Sequence, residues 1–251
     1  MLKYLFIILF PFFICASIDL SQYEKKLYSQ NGEDGVILAI FNCIGTKNKY
    51  YVEFGAQDGN ECNTHMLREL RWNGLLMDGG YEIEDINLKK EFITQENIND
   101  LFNKYDVPLE FDLLSIDIDF NDFYVWNAIN DKYKPRVVII EYNAAHLPYE
   151  DKIVRYQPKG CWDGTIYYGA SILAMKRLGN HKGYTLVYAD STGVNLFFIR
   201  NDILKQLNID FKDQDDEIKL YRPADYYHMG LSHSQDALNR EFVSSLEVEL
   251  R

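Results

Sequence analysis

Short apolar runs alternate with helical patterns along most of this chain. The first run, YYVEF at 50–54, is aromatic and β-branched, as buried strands are. Behind it, Met66, Leu67 and Leu70 recur at helical spacing. The alternation continues and predicts five strands, at 50–54, 75–77, 92–94, 111–118 and 136–140. Alternating strands and helices predict a parallel sheet covered by helices on both faces.

The last two strands differ from the others because a short turn joins them. YTLVYAD at 184–190 and VNLFFIR at 194–200 flank the turn 191–193, which is typical of a tight hairpin. A helix is expected before them at 170–178, ended by the Gly-Asn pair at 179–180. The pattern predicts an α/β fold with a seven-stranded, mostly parallel sheet and a C-terminal antiparallel hairpin.

Glycines and acids surround the end of the first strand: Glu53, Gly55, Asp58 and Gly59, with Asp78 at the end of the second. Glycines let a backbone approach a nucleotide closely, and an acid after the second strand suits ribose hydroxyls. Only two glycines are present, however, and Asp58 between them would repel a pyrophosphate. An acid suits the ammonium group of S-adenosylmethionine, which is therefore the expected cofactor. The competing interpretation is an ordinary glycine turn after a strand.

More acids follow the fourth and fifth predicted strands. Asp117 sits at the end of the fourth, Asp119 and Asn121 follow it, and Glu141 and Asn143 come after the fifth. Ligands of such sheets bind where the carboxyl ends of the strands meet. Converging carboxylates repel one another unless a positive group lies among them. Two cations fit: the sulfonium of the cofactor, beside Asp117, or Mg²⁺ held by Asp117, Glu141 and Asn143.

These acids allow two mechanisms for transfer to a hydroxyl group. In one, Asp117, Asp119 or Glu141 is the catalytic base that takes the hydroxyl proton. In the other, a metal lowers the pKa of the hydroxyl and the acids are its ligands. The competing interpretation for Asp119 and Asp122 is that they cap the following helix.

The acceptor is expected to contact polar residues of the same edge and of the loop that precedes the hairpin. These residues are Asn121, Asn143, Tyr168 and Ser171. Loops at the carboxyl ends of strands carry many substrate contacts. For Tyr168 and Ser171, the competing interpretation is a helix start capped by polar side chains.

Charge and cysteine content narrow the possible partners. The formal net charge is −12, from 38 acids and 26 Lys and Arg residues. Such a surface repels phosphate backbones, so we expect no nucleic-acid partner. Beyond the N-terminal segment, Cys43, Cys62 and Cys161 are odd in number and widely spaced, which argues against a disulfide framework.

Residues 1–17 differ in character from the rest of the chain. Lys3 is followed by an uninterrupted apolar run, Tyr4–Ala16, and small residues at 15–17 offer a cleavage site. This is the pattern of a signal peptide, and the run is short for a membrane span. We therefore expect a secreted or lumenal protein in which residues 18–251 form one domain. The alternative is an uncleaved leader that anchors the protein to a membrane.

Four stretches of the sequence, in this order, resemble FkbM-like S-adenosylmethionine-dependent methyltransferases. They are VEFGAQDG, the acid after GLLM, FDLLSIDID and VVIIEYN, and the similarity spans roughly residues 28–200. The resemblance implies the sheet of a class I methyltransferase and an oxygen acceptor, either a saccharide or a small metabolite. One departure is Phe120, which stands where the family is expected to have a smaller residue.

The resemblance also implies which residues contact each part of the cofactor. The methionine part would contact Glu53, Gly55, Asp58 and Gly59, the ribose Asp78, and the adenine Glu96 and Asn97. Two other functions remain open on the same fold, since a fold does not fix a function. One is a non-catalytic binding protein, and the other is a metal-dependent transferase or hydrolase of sugar or nucleotide substrates. The leader is an argument against a methyltransferase, because S-adenosylmethionine would have to enter the lumen of the secretory pathway.

Overall fold

The computed structural model describes residues 17–225 and 233–251, so nearly all of the expected leader lies outside the described residues. The strands are β1 (Tyr50–Phe54), β2 (Asn73–Asp78), β3 (Leu88–Lys90), β4 (Glu110–Ile116), β5 (Lys134–Glu141), β6 (Tyr184–Ala189) and β7 (Asn195–Arg200). The helices are α1 (Glu33–Ile44), α2 (His65–Glu69), α3 (Ile98–Lys104), α4 (Asp122–Ala128), α5 (Ile172–His181), α6 (Asn201–Leu207) and α7 (Glu217–Leu220).

The strands form one seven-stranded sheet in the order β3-β2-β1-β4-β5-β7-β6. Strands β1 to β5 pair in parallel, and β7 runs antiparallel to both β5 and β6. The predicted α/β fold, with its mostly parallel sheet and C-terminal antiparallel hairpin, is confirmed. Its carboxyl edge gathers the ends of β1, β2, β4 and β5, which is the edge where the sequence places most of its acids.

Helices cover both faces of this sheet, as the alternation predicted. On one face, apolar residues of α3, α4 and α5 pack with β-strand residues such as Phe54 and Ile116. On the other, α1, α2 and α6 pack with the alternate residues, among them Tyr51 and Leu113. Successive strand residues point to opposite faces, so one strand supplies both cores.

The third strand was predicted in the wrong place. It lies at Leu88–Lys90 and pairs with Leu76–Asp78, whereas residues 92–94 are loop. The strand was not predicted because its two lysines, at 89 and 90, are also typical of an exposed turn. Charged residues are common on the edge strand of a sheet, where they discourage pairing with other chains. Phe92, which suggested the strand, is 46% exposed.

The end of α5 was also predicted wrongly, because Gly179 and Asn180 lie inside the helix. A Cβ at Gly179 would lie 2.5 Å from Phe198 Cε1 and 3.2 Å from Trp126. Glycine is therefore needed for close packing of α5 on the sheet, and it does not end the helix. The helix continues to His181.

Two strand ends determine how the acids are presented. β4 ends at Ile116, so that Asp117 is the first residue beyond the strand, while β5 continues to Glu141 itself.

The three cysteines of the described residues, Cys43, Cys62 and Cys161, are free. No helix within these described residues is long and apolar enough to cross a bilayer.

Candidate functional site

The loop after β1 is held against the ends of β2 and β4. Gly55 has φ +71°, and its N–H donates to the Met77 carbonyl at 2.9 Å. A Cβ at this position would lie 1.6 Å from the carbonyl oxygen of Asp117. Gly55 is thus required by the close approach of two backbone segments, a need that exists without any ligand. It also lines the cavity described below.

Asp78 fastens the same loop from the end of β2. Its Oδ2 accepts from the Gln57 N–H at 2.9 Å, and its Oδ1 from the Gly80 N–H at 2.7 Å. Gln57 has φ +47°, a left-handed conformation that this bond helps to hold. Asp78, the acid expected to bind a ribose, lines the cavity as well and also organises the loop.

Of the other residues expected to contact the methionine part of the cofactor, only Glu53 lines the cavity. Glu53 is buried and accepts from the N–H groups of Asn63 at 2.8 Å and Thr64 at 3.0 Å, the two residues that precede α2. Burial raises the pKa of its carboxyl group. Asp58 is exposed and accepts from the Asn60 N–H, and Gly59 accepts from the Arg68 guanidinium at 2.8 Å. Neither Asp58 nor Gly59 is among the described residues that line the cavity.

A cavity of about 520 Å³ opens at the carboxyl ends of the parallel strands. This volume lies in the range of small-molecule sites. Among its described lining residues, no Lys or Arg accompanies the seven acids. Those acids are Glu53, Glu61, Asp78, Glu91, Asp117, Asp119 and Glu141. The cavity therefore favours a cationic ligand.

The acids at the ends of β4 and β5 raise one another's pKa values. Burial raises the pKa of Asp117 well above its usual value, and the neighbouring Asp119 and Asp122 raise it further. Burial also raises the pKa of Glu141 strongly, with Asp117 as the next cause. Asp119, at φ +64°, has its pKa raised by burial and then by the charge of Asp78. Carboxyl groups with raised pKa values are suited to proton transfer near neutral pH.

The structure adds Asp122, which the sequence suggested only as a helix cap. It is the first residue of α4, is fully buried, and its Oδ1 accepts from the Ile118 N–H at 2.8 Å. Burial raises its pKa to about 7. One oxygen each from Asp117, Asp122 and Glu141 lie within 4.8 Å of one another. The sequence signal was an acid five residues beyond Asp117, which stays at the same strand end because only residues 117–121 separate β4 from α4.

Asn143, expected as a metal ligand or acceptor contact, has a structural position instead. It is buried, its Nδ2 donates to the carbonyls of Ile166 and Tyr168 at 2.9 Å each, and its Oδ1 accepts from Ala145. Ser171 caps α5, with its Oγ accepting from the Ala174 N–H at 3.3 Å. Neither residue lines the cavity. For Ser171, the competing interpretation as a helix cap describes the geometry.

Asn121 and Tyr168, the two other expected acceptor contacts, do line the cavity. The Asn121 Nδ2 donates to the Gln157 carbonyl at 2.7 Å, and its Oδ1 is buried without a hydrogen-bond partner. Tyr168 belongs to an aromatic wall that the sequence did not reveal. In this wall the ring of His233 lies 4.6 Å from that of Trp162 and 5.2 Å from that of Tyr168, between centroids.

The residues expected near an adenine lie outside the cavity lining. Glu96 accepts from the Tyr156 hydroxyl, and Asn97 bonds the backbone of Thr94 and Phe92. The residues that line this side are Glu91, Phe92 and Ile93. They follow β3 directly, so the displacement reflects the misplaced third strand.

Neither a scan against protein-family models nor a search of curated proteins found a match to this chain. The resemblance to FkbM-like methyltransferases is therefore carried by the four sequence stretches alone.

Proposed function

We propose that this protein is a class I S-adenosylmethionine-dependent methyltransferase that acts on an oxygen of a small molecule or saccharide. The observation that carries the proposal is the acidic cavity at the carboxyl ends of the strands, which has no Lys or Arg among its described lining residues. Nucleotide cofactors bind at this edge of doubly wound sheets. Such a cavity disfavours phosphate groups and favours a nucleoside that carries positive charge.

The residues present fit such a cofactor. Asp78 at the end of β2 would accept from the ribose hydroxyls, and Phe92 and Ile93 would flank the adenine. Glu53 has both oxygens occupied by the start of α2, so it would contribute negative charge rather than a direct bond. When bound, S-adenosylmethionine supplies a methyl group on a positively charged sulfur. The strand order β3-β2-β1-β4-β5 agrees with the nucleotide-binding sheet, and the antiparallel hairpin with the class I arrangement that the resemblance implies.

The same cavity supports transfer to an oxygen. Asp117, Asp119 and Glu141 all line it, and one of these carboxylates would accept the proton of the acceptor hydroxyl. Their raised pKa values bring them toward the pH at which a base is most effective. The aromatic wall of Trp162, Tyr168 and His233 offers flat apolar surfaces against which an acceptor could pack.

Binding of the cofactor is the first test. At a concentration about 100 times Kd, a ligand of the native state adds about 2.7 kcal/mol, which raises Tm by roughly 5–10 °C in a chain of this size. We expect this shift with S-adenosylmethionine and S-adenosylhomocysteine, and none with NAD⁺, whose pyrophosphate the acids repel. If neither adenosyl compound shifts Tm or gives heat on titration, the proposal is wrong.

Two matched variants locate the binding. Asp78→Asn removes a charge from the cavity and is expected to weaken binding about tenfold or more, since charged hydrogen bonds contribute about 1.5–3 kcal/mol. Asp58→Asn makes the same change on an exposed side chain outside the lining and should leave Kd within about twofold. Melting of each ligand-free variant reports any effect on the fold itself. Equal losses in both variants would contradict the assignment of Asp78.

A further inference from the structure

Three carboxylates from three different elements meet at the edge of the acidic cavity. Asp117 follows β4, Asp122 begins α4 and Glu141 ends β5, and one oxygen of each lies within 4.8 Å of the others. Oxygen ligands on opposite sides of one Ca²⁺ ion are about 5 Å apart, and those around Mg²⁺ about 4 Å. The three oxygens are therefore close enough to bind one ion together.

Buried oxygens of this group lack hydrogen-bond donors. Asp122 is fully buried, and its Oδ2 has no hydrogen-bond partner while its Oδ1 is occupied by Ile118. The Oε2 of Glu141 is buried and unpartnered too. Leaving a buried polar atom unsatisfied costs about 1–3 kcal/mol, and more for a charged group. A bound cation would satisfy both oxygens at once.

No positive side chain of the described residues compensates the group. Within residues 17–225 and 233–251, no Lys, Arg or His forms an ion pair with Asp117, Asp122 or Glu141. The nearby acids Asp119, Glu53 and Glu33 instead add negative charge around Asp117. Uncompensated like charges at this spacing are unfavourable unless a cation or protons neutralise them.

We propose that Asp117, Asp122 and Glu141 bind one hard divalent cation such as Mg²⁺, Mn²⁺ or Ca²⁺. Carboxylate oxygens are the ligands that these ions prefer. Asp117 and Glu141 also line the cavity, so the ion is reached from it, while Asp122 binds from behind. The set differs from the one expected from sequence, because Asp122 takes the place of Asn143. It does not depend on the proposed cofactor, since every ligand named is a side chain of this chain.

Mn²⁺ alone is the probe for this site. The full chain is freed of metal with a chelator and titrated with Mn²⁺ by electron paramagnetic resonance and calorimetry, without any adenosyl compound. We expect one Mn²⁺ per chain and a rise in Tm. Asp122→Asn should weaken Mn²⁺ binding on the order of tenfold or more. The charge-matched control Asp58→Asn, on an exposed residue, should leave it within about twofold.

The melting temperature of the metal-free protein distinguishes an acid that binds the metal from an acid that stabilises the fold. Asn at position 122 can still accept from the Ile118 N–H, and the change removes one of the repelling charges. We therefore expect the metal-free Asp122→Asn protein to melt at the same temperature as the wild type or higher, yet to gain little from Mn²⁺. Glu141→Gln is the second variant, with the same expectation.

Two results would overturn the inference: no Mn²⁺ binding to the wild-type chain, or equal Mn²⁺ affinity in Asp122→Asn, Glu141→Gln and Asp58→Asn. Separate titration with S-adenosylmethionine keeps the two proposals apart. Cofactor binding without Mn²⁺ binding would remove only the cation site, and the reverse would remove only the methyltransferase.

Discussion

His146 shows how a single buried side chain can link stability to pH. It is 5% exposed, its ring packs edge-on against Phe242 with centroids 4.5 Å apart, and its Nε2 has no hydrogen-bond partner. Burial lowers the pKa of this imidazole to about 4, and the charge of Lys152 contributes. The folded state thus disfavours the protonated form. Its contribution to stability is present above about pH 6.5 and is lost as pH falls toward 4.

Replacing this histidine should remove that dependence. Between pH 7 and pH 5, the wild type should lose about 2 kcal/mol relative to His146→Leu, which keeps an apolar contact with Phe242 but cannot be protonated. Urea unfolding at both pH values measures the difference, and comparison of the two proteins cancels the titration of all other groups. Parallel curves for the two proteins would show that His146 does not titrate as its burial implies.

Single residues also show which parts of the site can be predicted from a sequence. Asp78, Asp117 and Glu141 lie at strand ends, and strand ends are fixed by apolar patterns, so their meeting at one edge was predictable. Asn143 and Ser171 looked equally suitable, but backbone groups of the surrounding loops occupy their side chains. Which backbone groups those are depends on loop conformation, and apolar periodicity carries no information about it.

At the scale of elements, Gly55 joins the ends of β1 and β4. Ala at this position would bring its Cβ to 1.6 Å from the Asp117 carbonyl, in addition to the unfavourable φ of +71°. We expect Gly55→Ala to cost more than about 3 kcal/mol, since the two strand ends must separate. Loss of ligand binding in this variant would therefore not show that Gly55 contacts a ligand.

Gly45 provides the matched control for that variant. It has a similar φ of +67°, but a Cβ there would meet nothing within 4 Å. Gly45→Ala should cost only the backbone strain, about 1–3 kcal/mol. Urea unfolding of both variants measures the difference. If the two lose equal stability, the clash with Asp117 is relieved by small movements, and the β1–β4 contact is looser than the structure shows.

The sequence predicted most elements, and the misplacement of β3 and of the end of α5 has the same kind of cause. Lys89 and Lys90 concealed an edge strand, and Gly179 resembled a helix end although it serves packing against Phe198. In each case a residue is chosen by its three-dimensional neighbours rather than by its local structure. Such neighbours are set by the assembled sheet, which local periodicity does not describe. The misplaced third strand also explains why Glu91, Phe92 and Ile93 line the cavity in place of Glu96 and Asn97.

At the scale of the whole molecule, the cavity is built from two parts of the chain. Its acids come from the parallel strands, and its aromatic wall comes from the loop before α5 and from the C-terminal segment 233–251. That segment crosses from His233 at the cavity to Asn127, whose side chain bonds both Glu249 and Arg251. Between these ends, Val243 forms a bridge with Ile153, and Phe242 packs on Tyr167. The wall therefore depends on contacts far from the cavity.

Asp151 is the main polar attachment of this segment. Its carboxylate accepts from the N–H of Ser245 at 3.1 Å, from the hydroxyl groups of Ser244 and Ser245, and from Arg177 at 2.5 Å. Asp151→Ala would leave the buried Ser245 without these acceptors, which should cost roughly 2–3 kcal/mol. Asp131→Ala, the control, removes an 80% exposed ion-pair partner of Lys182 and should cost less than about 0.5 kcal/mol.

The loss should be local to the C-terminal segment and should extend to the cavity. In hydrogen exchange, Asp151→Ala should speed exchange of the Val243 amide, which donates to Ile153, and of the Ile166 amide, which donates to Ser234 near the aromatic wall. The amide of Ile139, in the central strand β5, should exchange as in the wild type once global stability is corrected for. Faster exchange at Val243 without any change at Ile166 would mean that the wall is held by the loop before α5 alone, and that the distant attachment at Asp151 does not support the site.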